Sequence, residues 1–252
     1  MKNIFDTHAH YDDKAFDTDR EALLKGLPEK GIVGVISCGT DIASGYANLA
    51  LAERYDYIYA ACGIHPEQAT DIADGDYDKL ILQLNHPECV ALGEIGLDYY
   101  WDIPKDLQLD AFECQLEIAV KLDKPVIVHD REAHGDTLSL LKKYKPRGVM
   151  HCFSGSVETE REILNLGMYV GFGGAVTFKN AVKPVEAVRF APLDRILLET
   201  DCPYMAPVPN RGKRNDSSLI PFVAEKIAEV RGITAQEIVD AAAENARELF
   251  FT

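Results

Sequence analysis

The sequence predicts an α/β fold, a (β/α)8 TIM barrel that spans residues 1–252 as a single domain. Eight short apolar runs alternate with amphipathic stretches, which is the pattern of strands that are each followed by a helix. The length is that of one α/β barrel, about 200–250 residues. No Pro-, Gly- or Ser-rich linker divides the chain. A doubly wound open sheet is the alternative architecture, but the number of predicted strands favours a closed barrel.

The apolar runs are rich in valine, isoleucine and aromatic residues, as is typical of parallel strands that are buried on both faces. In chain order the predicted strands cover residues 4–5, 32–38, 57–63, 89–97, 125–128, 148–150, 168–172 and 195–198.

The stretches between the strands place apolar residues at helical spacing. In one of them Ala22 and Leu23 share a face with Leu27, and Gly31 follows as a stop. Thr234, with a glutamate three residues later, has the form of a capping box at the start of the last helix. The predicted helices cover residues 17–30, 41–54, 107–122, 132–144, 157–166, 179–190, 217–231 and 234–250.

The composition limits which ligands the protein can bind and where in the cell it is expected. The net charge is −15, so the chain lacks the broad basic face of many nucleic-acid-binding proteins. Any polyanion has to be held by a local basic cluster or by bound cations. No apolar run is long enough for a membrane span, and the N-terminus lacks the features of a signal peptide. We therefore expect a cytoplasmic protein that does not contact membranes. The six cysteines form no Cys-x-x-Cys pair, which favours reduced thiols over a structural zinc site.

Histidine and carboxylate side chains end or follow six of the predicted strands. In (β/α)8 barrels the carboxyl ends of the strands carry the catalytic groups, so these side chains are expected to share one rim. Imidazole and carboxylate without thiolate suit zinc, manganese, iron or magnesium. The candidates are His8, His10, His65, Glu94, His129, His151 and Asp201.

The His-x-His pair at His8 and His10 is the clearest local signal. Alternation along an extended chain puts both side chains on one face, about 6–7 Å apart, so both can reach one ion. The alternative is a pair of hydrogen-bonded structural histidines. We expect a structural role for His86 and His134, which fall in or beside helical segments.

The number of candidate ligands exceeds the need of one tetrahedral ion. We expect one or two divalent ions, of zinc, magnesium or manganese. Two ions would lie about 3.5–4 Å apart with a carboxylate between them, and Glu94 is our choice for that bridge because it comes from the middle of the barrel. One ion with the spare groups acting as acid–base residues is the other interpretation.

Basic residues near the same rim are candidates for binding a phosphate. Arg211, Lys213 and Arg214 form a compact basic group in the loop after the eighth predicted strand. Arginine can hold a phosphate in a bidentate fork. Lys179 follows a glycine-rich turn after the seventh strand, and Arg131 lies just past the fifth.

Three aromatic residues, Tyr99, Tyr100 and Trp101, follow the fourth predicted strand. They are open to two interpretations. They could form a platform on which a base stacks, or they could close the mouth of the barrel.

The chain resembles the TatD family of metal-dependent deoxyribonucleases, within the amidohydrolase-like barrels. The resemblance covers nearly the whole length and rests on seven blocks in the same order. The blocks are DTHAH at 6–10, GIHP at 63–66, GEIGLDY at 93–99, KPVIVH at 124–129, HCFSG at 151–155, GGAVTF at 173–178, and ETDCP at 199–203 with RGKRN at 211–215.

This resemblance implies a (β/α)8 barrel that hydrolyses DNA, often from the 3′ end. It also implies that His65 meets the substrate or its phosphate, and that six residues ligate metal. The implied ligands are His8, His10, Glu94, His129, His151 and Asp201.

We therefore expect a metal-dependent deoxyribonuclease, a 3′-to-5′ exonuclease that acts on single-stranded DNA or on 3′ ends. A hydroxide activated by the metal is expected to attack phosphorus, with Asp201 and Glu94 as catalytic residues. The expected substrate contacts are His65, Arg131, Lys179, Arg211 and Arg214.

Two other functions stay open at this point. One is an amide or ester hydrolase, such as a deacylase of D-aminoacyl-tRNA, because the same chemistry attacks carbonyl groups. The other is a metal-binding protein without catalysis. A monomer or a weak oligomer is expected.

Overall fold

A computed structural model describes residues 1–252. Its sheet contains eight parallel strands whose spatial order is their order in the sequence. This order and the intervening helices confirm the predicted (β/α)8 barrel. The strands are β1 (Ile4–Ala9), β2 (Ile32–Cys38), β3 (Ile58–Cys62), β4 (Cys89–Asp98), β5 (Val126–Arg131), β6 (Gly148–Met150), β7 (Tyr169–Phe172) and β8 (Ile196–Leu198).

One helix follows each strand, and the last strand is followed by two. The helices are α1 (Arg20–Gly26), α2 (Ile42–Ala52), α3 (Asp76–Leu84), α4 (Lys105–Leu122), α5 (His134–Tyr144), α6 (Val157–Asn165), α7 (Val182–Phe190), α8 (Ile220–Arg231) and α9 (Ala235–Phe251). The capping box predicted at Thr234 and Glu237 is present at the start of α9. None of the helices combines the length and the apolar character that crossing a membrane would need.

The end of β1 meets the segment that follows β8, which brings the two edges of the sheet together. The amide of His10 donates to the carbonyl of Cys202 over 2.8 Å, and the amide of Asp201 donates to the carbonyl of His8 over 2.9 Å. Because the edge groups pair in this way, the sheet curves into a nearly closed barrel.

The first strand is longer than the sequence indicates, since β1 runs to Ala9 and contains His8. The first helix is shorter than predicted. Pro28 has no N–H to donate to the carbonyl of Leu24, and the hydroxyl of Tyr57 donates to that carbonyl instead. The predicted helix 17–30 is therefore divided into α1 and a short 3-10 turn.

Helix α3 was not among the predicted helices, although the barrel requires a connection there. Its apolar residues Leu80, Ile81 and Leu82 are consecutive, which hides the helical period. Only Leu80 of these three is fully buried, while Leu82 is 67% exposed. A short helix with an apolar residue on its solvent-exposed face gives a weak amphipathic pattern in the sequence.

Glu160 on α6 is a buried carboxyl group without a hydrogen-bond partner on either oxygen. Burial raises the pKa of this group to about 8, and the nearby Arg231 opposes the rise only in part. The folded protein therefore binds a proton at Glu160 between roughly pH 5 and 8, where an unfolded glutamate is ionised. The free energy of unfolding is therefore expected to fall as the pH rises from about 5 to about 8, because ionisation of Glu160 is less favourable in the folded protein than in the unfolded chain.

Replacing Glu160 by glutamine is expected to flatten the decline of stability between pH 5 and pH 8. The slope attributable to this group is at most about 1.4 kcal/mol per pH unit. Urea unfolding at several pH values in that window measures it. Glu158→Gln, an exposed carboxylate on the same helix, is the matched control. Equal slopes for wild type and Glu160→Gln would contradict the assignment.

Candidate metal centre

The strands of the barrel deliver the predicted ligand residues to one end. His8 lies in β1 and His10 directly follows it, while Glu94 lies in β4 and His129 in β5. His65 comes after β3, His151 after β6, and Asp201 after β8. The backbone of Asp201 has a φ of 57°, a left-handed conformation that aspartate adopts more readily than most residues.

Four side chains meet around one point, and we call them the first ligand group: His8, His10, Asp201 and the Oε2 atom of Glu94. The Nε2 atoms of His8 and His10 are 3.1 Å apart. They lie 3.3 Å and 3.5 Å from Glu94 Oε2. Asp201 Oδ1 is 3.7 Å from His8 Nε2 and 3.4 Å from His10 Nε2.

The other carboxylate oxygen of Glu94 faces a second ligand group, formed with His129 and His151, and His65 lies beside this group. Glu94 Oε1 is 2.8 Å from His129 Nδ1, 2.9 Å from His151 Nε2 and 3.6 Å from His65 Nε2. The rings of His8 and His151 stack with their centroids 3.9 Å apart, so the two groups are adjacent. Glu94 belongs to both of them.

The donor set fits divalent metal ions. Ligand atoms bound tetrahedrally at about 2.0–2.1 Å lie about 3.3 Å from one another, and the distances within the two groups, from 2.8 Å to 3.7 Å, bracket that value. Unmetallated, the groups would leave several imidazole nitrogens facing one another. The donors are nitrogen and carboxylate oxygen, which matches the ions expected from the sequence.

Polar partners hold the outer nitrogens of several of these histidines. His10 Nδ1 lies 2.9 Å from the carbonyl of Cys38, and His129 Nε2 lies 3.1 Å from Asp98 Oδ2. Such partners fix the ring orientation and the tautomer of a ligating histidine. His65 differs, because its Nδ1 accepts a hydrogen bond from the amide of Glu67 at 3.2 Å. The proton of a neutral His65 ring then lies on Nε2, which can donate to a substrate but cannot bind metal.

Two carboxylates next to the centre were not assigned a role from the sequence. Asp98 could have been found, because residues 94, 96 and 98 of β4 share one face by strand alternation. Glu199 lies 3.6 Å from His151 Nδ1 and accepts a hydrogen bond from the amide of Cys152. A side chain at Gly171 would meet Glu199 Oε2 at 2.4 Å, so a larger residue there would have to displace this carboxylate.

The charges of the ligand side chains follow from their mutual contacts. Burial acts to raise the pKa of Glu94, but the surrounding imidazoles hold this pKa well below its usual range. Burial acts to lower the pKa of His10 and of His129, yet the neighbouring carboxylates raise both to about 9. Because metal binds neutral imidazole, metal uptake must displace these protons.

Below the first ligand group, Asp6 is fully buried and ties β1 to two later segments. Its carboxylate accepts hydrogen bonds from the amide and hydroxyl of Thr200, at 3.0 Å and 2.7 Å. It also accepts from the hydroxyl of Ser217 at 2.6 Å. Burial raises the pKa of Asp6 to about 7, although these hydrogen bonds oppose the rise.

The centre opens into a cavity of about 630 Å³. Arg131 is the one lysine or arginine in its lining. Carboxylates are more numerous, and those outside the two ligand groups are Asp12, Asp13, Glu67, Asp98 and Asp130. Outside the two ligand groups, one arginine therefore faces five carboxylates in the cavity lining.

The structure does not bring three of the predicted substrate contacts into that lining. Arg214 forms a bidentate ion pair with Asp19, with distances of 2.7 Å and 2.6 Å. Arg211 stacks its guanidinium over the ring of Phe178 at 3.7 Å, and Lys179 is exposed. The loop that carries the two arginines folds back on neighbouring segments, which residue spacing alone cannot show.

A barrel with histidines and carboxylates gathered at the carboxyl ends of its strands has the architecture of a metal-dependent hydrolase. The family model described as "TatD related DNase" matches residues 5–251. The chain is 42% identical to the uncharacterized metal-dependent hydrolase YabD of Bacillus subtilis, over 98% of each chain. It belongs to the TatD family of metal-dependent hydrolases.

Two further comparisons support this membership. The 3′-5′ ssDNA/RNA exonuclease TatD of Salmonella typhimurium is 32% identical over 98% of both chains. The crystal structure of YJJV, a TatD homologue from Escherichia coli K12, superposes with a TM-score of 0.93 at 34% identity. That match covers 99% of this chain and 98% of the other.

Proposed function

We propose that this protein is a deoxyribonuclease that removes nucleotides from the 3′ end of single-stranded DNA with the help of two divalent ions. The observation that carries the proposal is the position of Glu94, whose two oxygens face two separate ligand groups. Two adjacent ions are a recurrent arrangement for the hydrolysis of phosphodiesters. The family description and the name of the Salmonella relative support DNA as the substrate.

The first ligand group would hold one ion and the second group the other, with Glu94 shared. Zinc, magnesium and manganese all fit the donor set. When bound, divalent ions supply Lewis acidity, which lowers the pKa of water to about 7 and offsets charge on a phosphoryl group.

Asp201 is the residue that we propose as proton acceptor. Its side chain is 20% exposed, more than that of the other ligands in its group. Burial acts to raise its pKa, but His10 and the other nearby histidines hold that pKa below its usual value. Asp201 is therefore an anion at neutral pH and can take a proton from an attacking water.

His65 and Arg131 are the proposed phosphate contacts. Both line the cavity, and arginine binds phosphate with two parallel hydrogen bonds. Arg211 and Lys179 lie outside that lining, so we assign them at most to more distant parts of a longer strand.

A second function, hydrolysis of an amide or ester such as D-aminoacyl-tRNA, is favoured by one observation. Five carboxylates outside the ligand groups line the cavity against one arginine. Such a wall suits a substrate that carries an amine, because opposite charges attract at short range.

The experiment that decides between these functions is an assay of the purified protein on single-stranded DNA, D-aminoacyl-tRNA and small esters. Each substrate is tested with Mn²⁺, Mg²⁺ or Zn²⁺ and after chelation. We expect DNA cleavage that chelator abolishes and that added metal restores. Turnover of the aminoacyl ester alone would establish the second function, and inactivity of metal-loaded protein on every substrate would indicate binding without catalysis.

Replacement of Arg131 by alanine is expected to raise KM for DNA and to lower kcat/KM by about 10- to 100-fold, which corresponds to about 1.4–2.8 kcal/mol. Arg214→Ala is the matched control, since its guanidinium is already paired with Asp19. Steady-state kinetics on a labelled single strand measures both. A larger loss for Arg214→Ala than for Arg131→Ala would overturn the assignment of the phosphate contact.

We further propose that the protein works in the cytoplasm as a monomer or weak oligomer. All six cysteines are free thiols, as is usual in reducing compartments.

A further inference from the structure

An aromatic surface borders the cavity and has no part in the proposed chemistry. It belongs to residues 99–103, between β4 and α4, which we call the aromatic loop. The side chains of Tyr100 and Trp101 are 53% and 48% exposed, and Trp101 lines the cavity. Both rings are therefore accessible to a ligand, which favours the stacking interpretation of this loop over closure of the barrel mouth.

The aromatic loop is held at both ends by Gln108, a buried residue of α4. The side-chain amide of Gln108 donates to the carbonyls of Asp98 and Ile103, at 2.9 Å and 3.2 Å. Its oxygen accepts from the amide of Asp98 at 2.8 Å. The amide of Tyr100 donates to the Asp98 carboxylate at 2.9 Å. A loop anchored in this way presents its rings with little loss of entropy on binding.

Arg131, the cation of the cavity, lies beside this loop. Its guanidinium carbon is 3.7 Å from the centre of the Tyr100 ring, and its carbonyl accepts from the amide of Tyr99 at 2.9 Å. The rings of Tyr100 and Trp101 meet edge to face, with centroids 5.0 Å apart. Arg131 and the ring of Trp101 thus both contact Tyr100.

The charges of the cavity favour approach of a nucleic acid from this side. Trp101 follows β4 and Arg131 ends β5. The two lining carboxylates on these strands, Asp98 and Asp130, face His129 and His134. The carboxylates of Asp12, Asp13 and Glu67, after β1 and β3, have no basic partner. A polyanion avoids the carboxylates and is drawn to the arginine.

We propose that Trp101 stacks on a nucleobase of the bound strand while Arg131 holds an adjacent phosphate. The inference rests on the proposed nuclease function and names the residue that would give this nuclease its preference for single strands. Aromatic stacking tolerates every base, since each has a π-face. A base within a duplex already stacks on both sides, so this subsite selects single strands without selecting sequence.

Binding is tested with two short single strands of equal length and charge, one with thymine bases and one abasic throughout. Both carry phosphorothioate linkages to slow hydrolysis and a label for fluorescence anisotropy. Trp101 is the sole tryptophan of the chain, so its own emission reports the site. We expect the thymine strand to quench that emission and to bind about 5- to 150-fold more tightly than the abasic strand.

Three variants complete the test. Trp101→Leu is expected to abolish the preference for bases, and Trp101→Tyr to keep part of it. Tyr46→Leu, at a ring that is 49% exposed on α2, is expected to bind like wild type. Equal binding of both strands, or a preference that survives in Trp101→Leu, by a protein that cleaves DNA would overturn the stacking alone. Failure to bind either strand would overturn the stacking and the nuclease function together.

Discussion

Glu94→Gln is expected to lower kcat/KM for single-stranded DNA by more than about a hundredfold, and to reduce the number of metal ions bound per chain. Even outer partners of metal ligands typically contribute about 10- to 100-fold, and Glu94 belongs to both ligand groups. Glutamine keeps the shape of the side chain but offers only one oxygen and no negative charge. The imidazoles of both groups would lose the anion that holds them together.

Elemental analysis of protein dialysed against metal, together with steady-state kinetics, measures both parts of this result. Asp98→Asn is the comparison, because Asp98 contacts His129 from outside the two groups. It should retain bound metal and lose only about 10- to 100-fold in activity. Full metal content and activity in Glu94→Gln would show that the two ligand groups do not share a bridging carboxylate.

The architecture could be predicted because burial on both faces makes parallel strands continuous apolar runs, which stand out between amphipathic helices. The limits of that prediction have physical causes. In α3 the exposed Leu82 removes the apolar period. In β1 the polar residues Asp6 and His8 are fully buried by tertiary contacts. The strand therefore extends beyond its apolar residues, which are the part that the composition reveals.

The candidate ligands could be predicted because a barrel sends the ends of its strands to one rim, and residue type at those ends is visible in the sequence. The division of these ligands into two groups could not be predicted, since it depends on which oxygen of Glu94 faces which imidazole ring. The contacts made by loop residues could not be predicted either. Arg214 and Arg131 are equivalent as residue types, yet one pairs with Asp19 and the other lines the cavity.

Asp6→Ala is expected to destabilise the fold by about 3 kcal/mol, which is large for one substitution. At pH 8 Asp6 is mostly ionised, since its pKa is about 7. Each hydrogen bond to a charged group contributes about 1.5–3 kcal/mol, and donors left unpaired in the interior cost about 1–3 kcal/mol each. The donors here are the amide and hydroxyl of Thr200 and the hydroxyl of Ser217. For a chain of this size the corresponding fall in Tm is about 6–12 °C.

Thermal and urea unfolding of the two proteins measures the effect, with Asp240→Ala as the control. Asp240 also accepts a side-chain hydrogen bond, from Asn3 at 2.9 Å, but it lies on the surface, where water can replace the lost acceptor. Asp6→Asn should fall between the two, because its amide oxygen still accepts while its NH₂ group faces hydroxyl and amide donors. A Tm for Asp6→Ala as high as that of Asp240→Ala would mean that β1, the end of β8 and the start of α8 are held together without this carboxylate.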